Sequence, residues 1–174
     1  MTLLEKITHV SLISLATIAG AIIILNRVSP PRPSSSQTPR STLASSVGRK
    51  LPIDRYQSRY YDITLVLALK SDCQYCKKSL PLYRKMFNLS AEPDSHFSIY
   101  IFTEEDPPRI QEFLKHNGLE NVPVFRVRFQ EIGVLGTPTI LVAGANRVVR
   151  KEFIGVLSTQ DGDALLQDLS TGTI

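Results

Sequence analysis

The 174-residue chain has no tryptophan, two methionines, three histidines and only two cysteines. Two cysteines, Cys73 and Cys76, are too few for a disulfide framework. They also leave a tetrahedral zinc site two ligands short. His9, His96 and His116 offer no HxxxH-type spacing to supply the missing ligands, and His9 lies in an apolar stretch. No cysteine stands near the N-terminus to take a lipid anchor. No Pro-x-x-x-Thr-x-x-Cys pattern surrounds Cys73, which argues against a peroxidase. No internal repeat is found.

A basic domain is also missing. The net charge is +4, but it is unevenly spread. From Arg27 to Arg59 the basic residues Arg27, Arg32, Arg40, Arg49, Lys50, Arg55 and Arg59 face one acid, Asp54. From Tyr60 onward, twelve basic residues meet fourteen acidic ones. A nucleic-acid-binding domain needs a basic face of its own, so that class of partner is excluded. The apolar content of 43% is enough for a core.

The two cysteines sit together in Ser71-Asp72-Cys73-Gln74-Tyr75-Cys76-Lys77-Lys78. Before them, Ile63-Thr64-Leu65-Val66-Leu67-Ala68-Leu69 reads as a strand buried on both faces. After them, Cys76 to about Leu89 reads as a helix. Cys73 therefore stands where a strand passes into a helix N-terminus. Unpaired amides and the helix dipole there favour a thiolate. A thiolate is the nucleophile of thiol–disulfide exchange, and a second cysteine one turn on can resolve the mixed disulfide. Half a zinc site and a structural disulfide are the competing readings. A loop this small constrains an unfolded chain little.

Residues 1–28 carry an apolar run from Ile7 to Val28, with no acid, lysine or arginine between Lys6 and Arg27. About twenty residues of helix span about 30 Å, the thickness of a bilayer core. A cleaved signal peptide is the rival, with Ala19-Gly20-Ala21 as the small-residue site. Four strongly apolar residues follow that site, so the reading is an uncleaved single-span anchor. Residues 29–59, rich in proline, serine and arginine, read as a disordered linker. Their arginines either rest on anionic headgroups or are simply solvated. Residues 60–174 form the domain. Lys6 is offset by Glu5, while Arg27, Arg32 and Arg40 follow the span; counted alone, these charges place the domain in the cytoplasm. An anchor that exports its domain is the commoner arrangement, and a cytosolic dithiol has little need of a tether. The expected location is the cell membrane, single-pass, with the domain on the extracytoplasmic, periplasmic side.

Within the domain, Phe97 to Phe102 reads as a second strand. Asp106-Pro107 starts a helix with Ile110, Phe113 and Leu114 inward, ending at Gly118. Val122 to Phe129 alternates, with Phe125, Val127 and Phe129 opposite Arg126 and Arg128, as an edge strand does. Thr139 to Val142 and Val148 to Phe153 are strands about a Gly144-Ala145-Asn146 turn. Ser158 or Thr159 caps a last helix bearing Leu165, Leu166 and Leu169. A βαβ start and a ββα end make an α/β fold, a mixed central sheet with helices on both faces.

From Tyr60 to Leu169 the chain resembles the thioredoxin superfamily, and most closely its membrane-anchored redoxin branch, the TlpA-like proteins. Cys73-Gln74-Tyr75-Cys76-Lys77 matches the redox motif and its following lysine. Pro81 matches the proline that kinks the active-site helix. Gly133-Val134-Leu135-Gly136-Thr137-Pro138-Thr139 resembles the GxxGxPT segment, whose proline is cis. Gly155-Val156-Leu157-Ser158 resembles the glycine turn before the last helix. Phe113 to Leu119 and Val122 to Phe125 resemble the redoxin insert.

The resemblance implies a thioredoxin-like fold and a thiol–disulfide oxidoreductase. Cys73 and Cys76 would be catalytic, and Gln74, Tyr75, Thr137 and Pro138 would bind an extended substrate by β-augmentation. The partners implied are protein thiols and disulfides, with a membrane-embedded dithiol donor, and no cofactor or metal is called for. The expected role is reductant of extracytoplasmic protein or apocytochrome thiols. The alternatives are a copper chaperone, since two thiolates suit Cu(I), and a non-enzymatic assembly factor. The chain departs from the pattern in two places. Asp72 replaces the tryptophan before the first cysteine, and Leu67 replaces the buried acid upstream that handles the second cysteine's proton. That proton would pass to water, Asp72 or Lys70. Asp72 opposes a thiolate at Cys73, while Lys77 and Lys78 favour it. The middle pair Gln74-Tyr75 leaves the direction of electron flow open.

Overall fold

Ile63–Ala68 forms strand β1, and all six of its residues are buried. Neighbouring strands cover both of its edges and packed layers cover both of its faces, which is why the run is apolar without alternation. The structure is a computed structural model and describes residues 45–53 and 61–173. After β1 come α1 (Gln74–Ser90), β2 (Phe97–Thr103), α2 (Pro107–His116) and β3 (Val124–Arg126). A 3-10 turn (Phe129–Ile132), β4 (Thr139–Gly144), β5 (Val149–Ile154) and α3 (Thr159–Thr171) complete the order.

The sheet order is β3-β2-β1-β4-β5. β1 pairs parallel with β2, and β2 with β3; β4 runs antiparallel to both β1 and β5. The mixed sheet expected from the sequence is therefore present, flanked by helices. The helices do not lie on both faces, however: all three α-helices pack on one. Leu65 and Leu67 of β1 face a core that also holds Met86 of α1, Ile110 of α2 and Leu165 of α3. Passing from β1 to β2 to β3 in one direction with right-handed crossovers puts α1 and α2 on the same side. Val66 and Ala68 face the other core, closed by the 3-10 turn through Phe129 and Ile132, by Val134, and by Leu51 and Ile53.

The presence of Leu51 and Ile53 corrects one expectation. Composition places residues 45–53 in the linker, but they pack on the domain. Gly48 N–H donates to Val149 O, Val149 N–H to Arg49 O and Leu51 N–H to Arg147 O, each at 2.9 Å. Arg147 donates to the Ile53 carbonyl. The backbone of this polar stretch is satisfied by the free edge of β5, so its composition does not leave it unstructured. Gly133 fits closely beneath it. Its φ is +76°, and a Cβ there would lie 2.9 Å from Ser45 O. The expected membrane anchor (1–28) and the remaining linker residues (29–44 and 54–59) lie outside the described residues. Among the described residues no helix is long and apolar enough to cross a membrane.

Other boundaries shift for local reasons. α1 starts at Gln74 rather than Cys76, because Cys73 is its cap. β3 spans only Val124–Arg126, at the sheet edge. Phe125, Val127 and Phe129 do share one face, packed in the second core. Past Arg126 that alternation continues through a loop into the 3-10 turn. Asp106 is the N-cap of α2 but makes no side-chain cap bond. Its carboxylate is drawn instead to Arg126 at 2.7 Å.

Candidate active site

Two short stretches meet at the C-terminal end of β1. The first is the turn into α1. Cys73 has the extended backbone of an N-cap (φ −72°, ψ 113°). Helix caps accept from the orphan amides of the first turn. Here the acceptor is sulfur: Cys76 N–H donates to Cys73 Sγ at 3.3 Å. Pro81 lies inside α1, where it removes one backbone donor.

The second stretch is Gly136-Thr137-Pro138-Thr139. The Thr137–Pro138 peptide is cis, as the resemblance implies. β4 pairs with β1 in the register Ala68↔Thr139, so residues 137–138 fall beside the turn that follows β1. Thr139 Oγ donates to Gly136 O at 2.7 Å. Gly155 N–H, at a φ of +88°, donates to Pro138 O at 2.8 Å, which ties the glycine turn to the proline loop. Across the gap, the Cys73 thiol donates to Thr137 O at 3.4 Å.

The two sulfurs have opposite environments. Cys73 is half-buried and Cys76 fully buried, and both are free thiols. Burial disfavours the Cys73 thiolate. Hydrogen bonding with the Thr137 and Cys76 side chains, and with the amides of Cys76 and Tyr75, outweighs it, so the Cys73 pKa is lowered. Among the causes that lower it, hydrogen bonding leads, rather than the charges of Lys77 and Lys78. Cys76 is pushed up to about 12 by burial, with the Cys73 sulfur adding to the rise. Lys70 is held above its ordinary pKa, chiefly by a hydrogen bond to Glu104, and the pair lies at 3.0 Å. A lysine held protonated accepts no proton, which leaves water and Asp72 from the expected set.

Of the residues singled out from sequence, Gln74 and Tyr75 are exposed on the first turn of α1. Tyr75 lies under the Lys78 ammonium, 5.3 Å from its ring centroid. Thr137 is half-buried, and Pro138 is buried behind it. Leu67 is fully buried in the first core, where it can move no proton.

Several neighbours are not legible in the sequence. Tyr83 is buried among the same core residues as Cys76, and its hydroxyl makes no hydrogen bond of normal geometry among the described residues, with Ser79 its nearest polar neighbour. The nearby Ser79 hydroxyl donates to Tyr75 O instead, at 3.0 Å. The Tyr83 pKa is raised, mainly by burial. The large exposed apolar residues also gather here. Of the five among the described residues, Tyr75 lies within the CxxC and Leu135 just precedes Gly136-Thr137. Ile154 pairs with Thr139, and Val156 follows the glycine bonded to Pro138. Only Val47 lies on a different part of the chain. Strand spacing gives Ile154 no mark that separates it from a core residue.

No family model and no curated protein matches the chain. Solved structures do. A thiol-disulfide isomerase from Corynebacterium glutamicum aligns over 74% of this chain and 92% of its own, at 15% identity and a TM-score of 0.53. A putative thiol:disulfide interchange protein DsbE from Chlorobium tepidum aligns over 66% and 82%, at 19% identity and 0.54. StoA from Bacillus subtilis aligns over 64% and 84%, at 18% identity and 0.50. Together with the sheet order and the cis-proline facing the CxxC, these likenesses show that the chain has the thioredoxin fold.

Proposed function

We propose that the protein is a thiol–disulfide oxidoreductase acting on protein disulfides. One observation carries the reading: the Cys73 sulfur is held between the Cys76 amide at 3.3 Å and the Thr137 carbonyl at 3.4 Å, next to a cis-proline. The Cys73 thiolate attacks one sulfur of a partner disulfide. That S–S bond breaks, and the other partner sulfur leaves as a thiolate. Cys76 then gives up its proton to water or to the departing thiolate and attacks Cys73. The second partner sulfur leaves, a Cys73–Cys76 disulfide forms, and the partner has gained two electrons. The exposed apolar residues around the gap suit an extended polypeptide with apolar side chains.

The finer reading is a membrane-tethered reductant of extracytoplasmic protein or apocytochrome thiols, recharged by a membrane-embedded dithiol donor. The apolar residues 7–28 and the polar stretch after them support a tether. In cells, protease accessibility of the domain tests the side on which it lies. Two of the similar structures, a thiol-disulfide isomerase and a putative thiol:disulfide interchange protein, support the chemistry by their names.

Reduction of insulin disulfides is the test of activity. The wild type should cleave them, Cys73→Ser should be inert, and Cys76→Ser should accumulate as a mixed disulfide. Inertness of the wild type overturns the reading. Stoichiometric Cu(I) binding without exchange would favour a copper chaperone, and inertness in both assays an assembly factor.

A further inference from the structure

The turn that delivers Cys73 is gripped by the strand beside it. β1 and β2 run parallel in the register Ala68↔Phe102, so residues leaving their C-terminal ends emerge side by side. Leu69 N–H donates to Phe102 O at 2.9 Å, extending the pairing one step. Just beyond, Glu105 turns its carboxylate onto Ser71. Oε2 accepts from Ser71 N–H at 2.6 Å, and Oε1 accepts from Ser71 Oγ–H at 2.8 Å. Arg109, in the first turn of α2, lies 3.3 Å from the same Oε1 and donates from Nε to Ser71 Oγ at 3.2 Å. The Glu105 side chain is only 13% exposed.

Ser71 stands two residues before the sulfur. Between them, Cys73 N–H closes back on Lys70 O at 3.3 Å, so a shift at 70–71 reaches the cap directly. A short hydrogen bond from an amide to a carboxylate is charge-assisted, and burial of the carboxylate defends it against water. The other ion pair on this turn, Lys70 with Glu104, has both side chains about two-fifths exposed and is worth much less.

We propose that Glu105, braced by Arg109, is a positioning residue for thiol–disulfide exchange: by gripping both hydrogen-bond donors of Ser71 it fixes the 70–72 turn and so aims the Cys73 sulfur at the Cys76 amide. The proposal rests on Cys73 being the nucleophile. It differs from a charge effect in sign. Glu105 adds negative charge near Cys73, and charge alone would hinder a thiolate there. Positioning helps it.

The test is the pH dependence of iodoacetamide alkylation of Cys73 in the reduced full chain, for wild type, Glu105→Gln and Ser71→Ala, with thermal melting alongside. Glu105→Gln removes the charge and turns an amide NH2 toward one of the two donors on Ser71. Ser71→Ala removes the hydroxyl and no charge. The expected result is a midpoint moved upward in both variants, by about half a pH unit or more for Glu105→Gln, so alkylation at pH 7 slows about threefold. A downward shift in Glu105→Gln means its charge acts instead, and overturns the proposal. An unmoved midpoint with a lowered melting temperature means a structural strut, and also overturns it. If Glu105→Gln does not fold, Ser71→Ala decides alone by the same criterion. If the wild-type Cys73 itself titrates as an ordinary thiol, it is the nucleophile reading that fails, and the wild type alone reveals this.

Discussion

Cys73 and Cys76 are the same side chain three positions apart, yet their thiols are moved in opposite directions. The difference is one of solvent and donors. Cys73 faces the gap and collects amides; Cys76 faces the core and is deprived of water. The stability of the reduced protein should reflect this. A thiol whose folded pKa is raised contributes stability that is complete below the ordinary value and lost as pH rises through the folded one. For Cys76 that window runs from the ordinary 9.0 to about 12. Melting curves across this range should fall more steeply for the reduced wild type than for Cys76→Ala. Equal slopes would show that Cys76 is not buried as described. Tyr83 offers a second test. A buried hydroxyl without a partner costs about 1–3 kcal/mol, so Tyr83→Phe should hold or raise the denaturation midpoint. A loss of more than about 1 kcal/mol would mean that the hydroxyl has a partner after all.

At the level of elements, legibility follows locality. β1 and α1 are readable because an apolar run and a CxxC turn are contiguous signals. The Asp106-Pro107 start of α2 is readable from the N-cap and first-turn pattern, although Arg126 claims the carboxylate expected to cap. The sequence pattern overextends β3 because its alternation outlasts the strand: Phe125, Val127 and Phe129 keep facing the core after the pairing with β2 stops at Arg126. Composition misplaces the 45–53 stretch because its backbone partners lie on and beside β5, far along the chain. Glu105 is invisible for the same reason, since only the β1–β2 register brings it to Ser71. Gly133→Ala tests the packing of residues 45–53. A side chain there meets both a positive φ and the Ser45 carbonyl, so the change should cost about 2 kcal/mol or more by chemical denaturation. A cost near zero would show that this segment does not rest on Gly133.

For the whole molecule, the topology decides where chemistry can occur. Parallel β1 and β2 end on the same edge as the start of antiparallel β4, so the CxxC turn, the cis-proline and the Glu105 grip all converge there. The opposite face needs a cover because no α-helix of the described residues reaches it, and Leu51 and Ile53 help to provide one. Burying two such side chains contributes about 3 kcal/mol or more. A chain that begins at residue 54 should therefore melt well below one that begins at residue 45. Equal melting of the two would show that the segment is not part of the domain.

The inequality of the two sulfurs carries the functional account, and mass spectrometry of alkylated protein measures it directly. Reduced wild type is pulsed with iodoacetamide across pH 5 to about 10, and label is assigned to each cysteine by peptide mass. The account predicts label at Cys73 alone through neutral pH, with a midpoint below the ordinary 9.0, and Cys76 unlabelled throughout. Equal labelling of the two, or a Cys73 midpoint at or above the ordinary value, would contradict it.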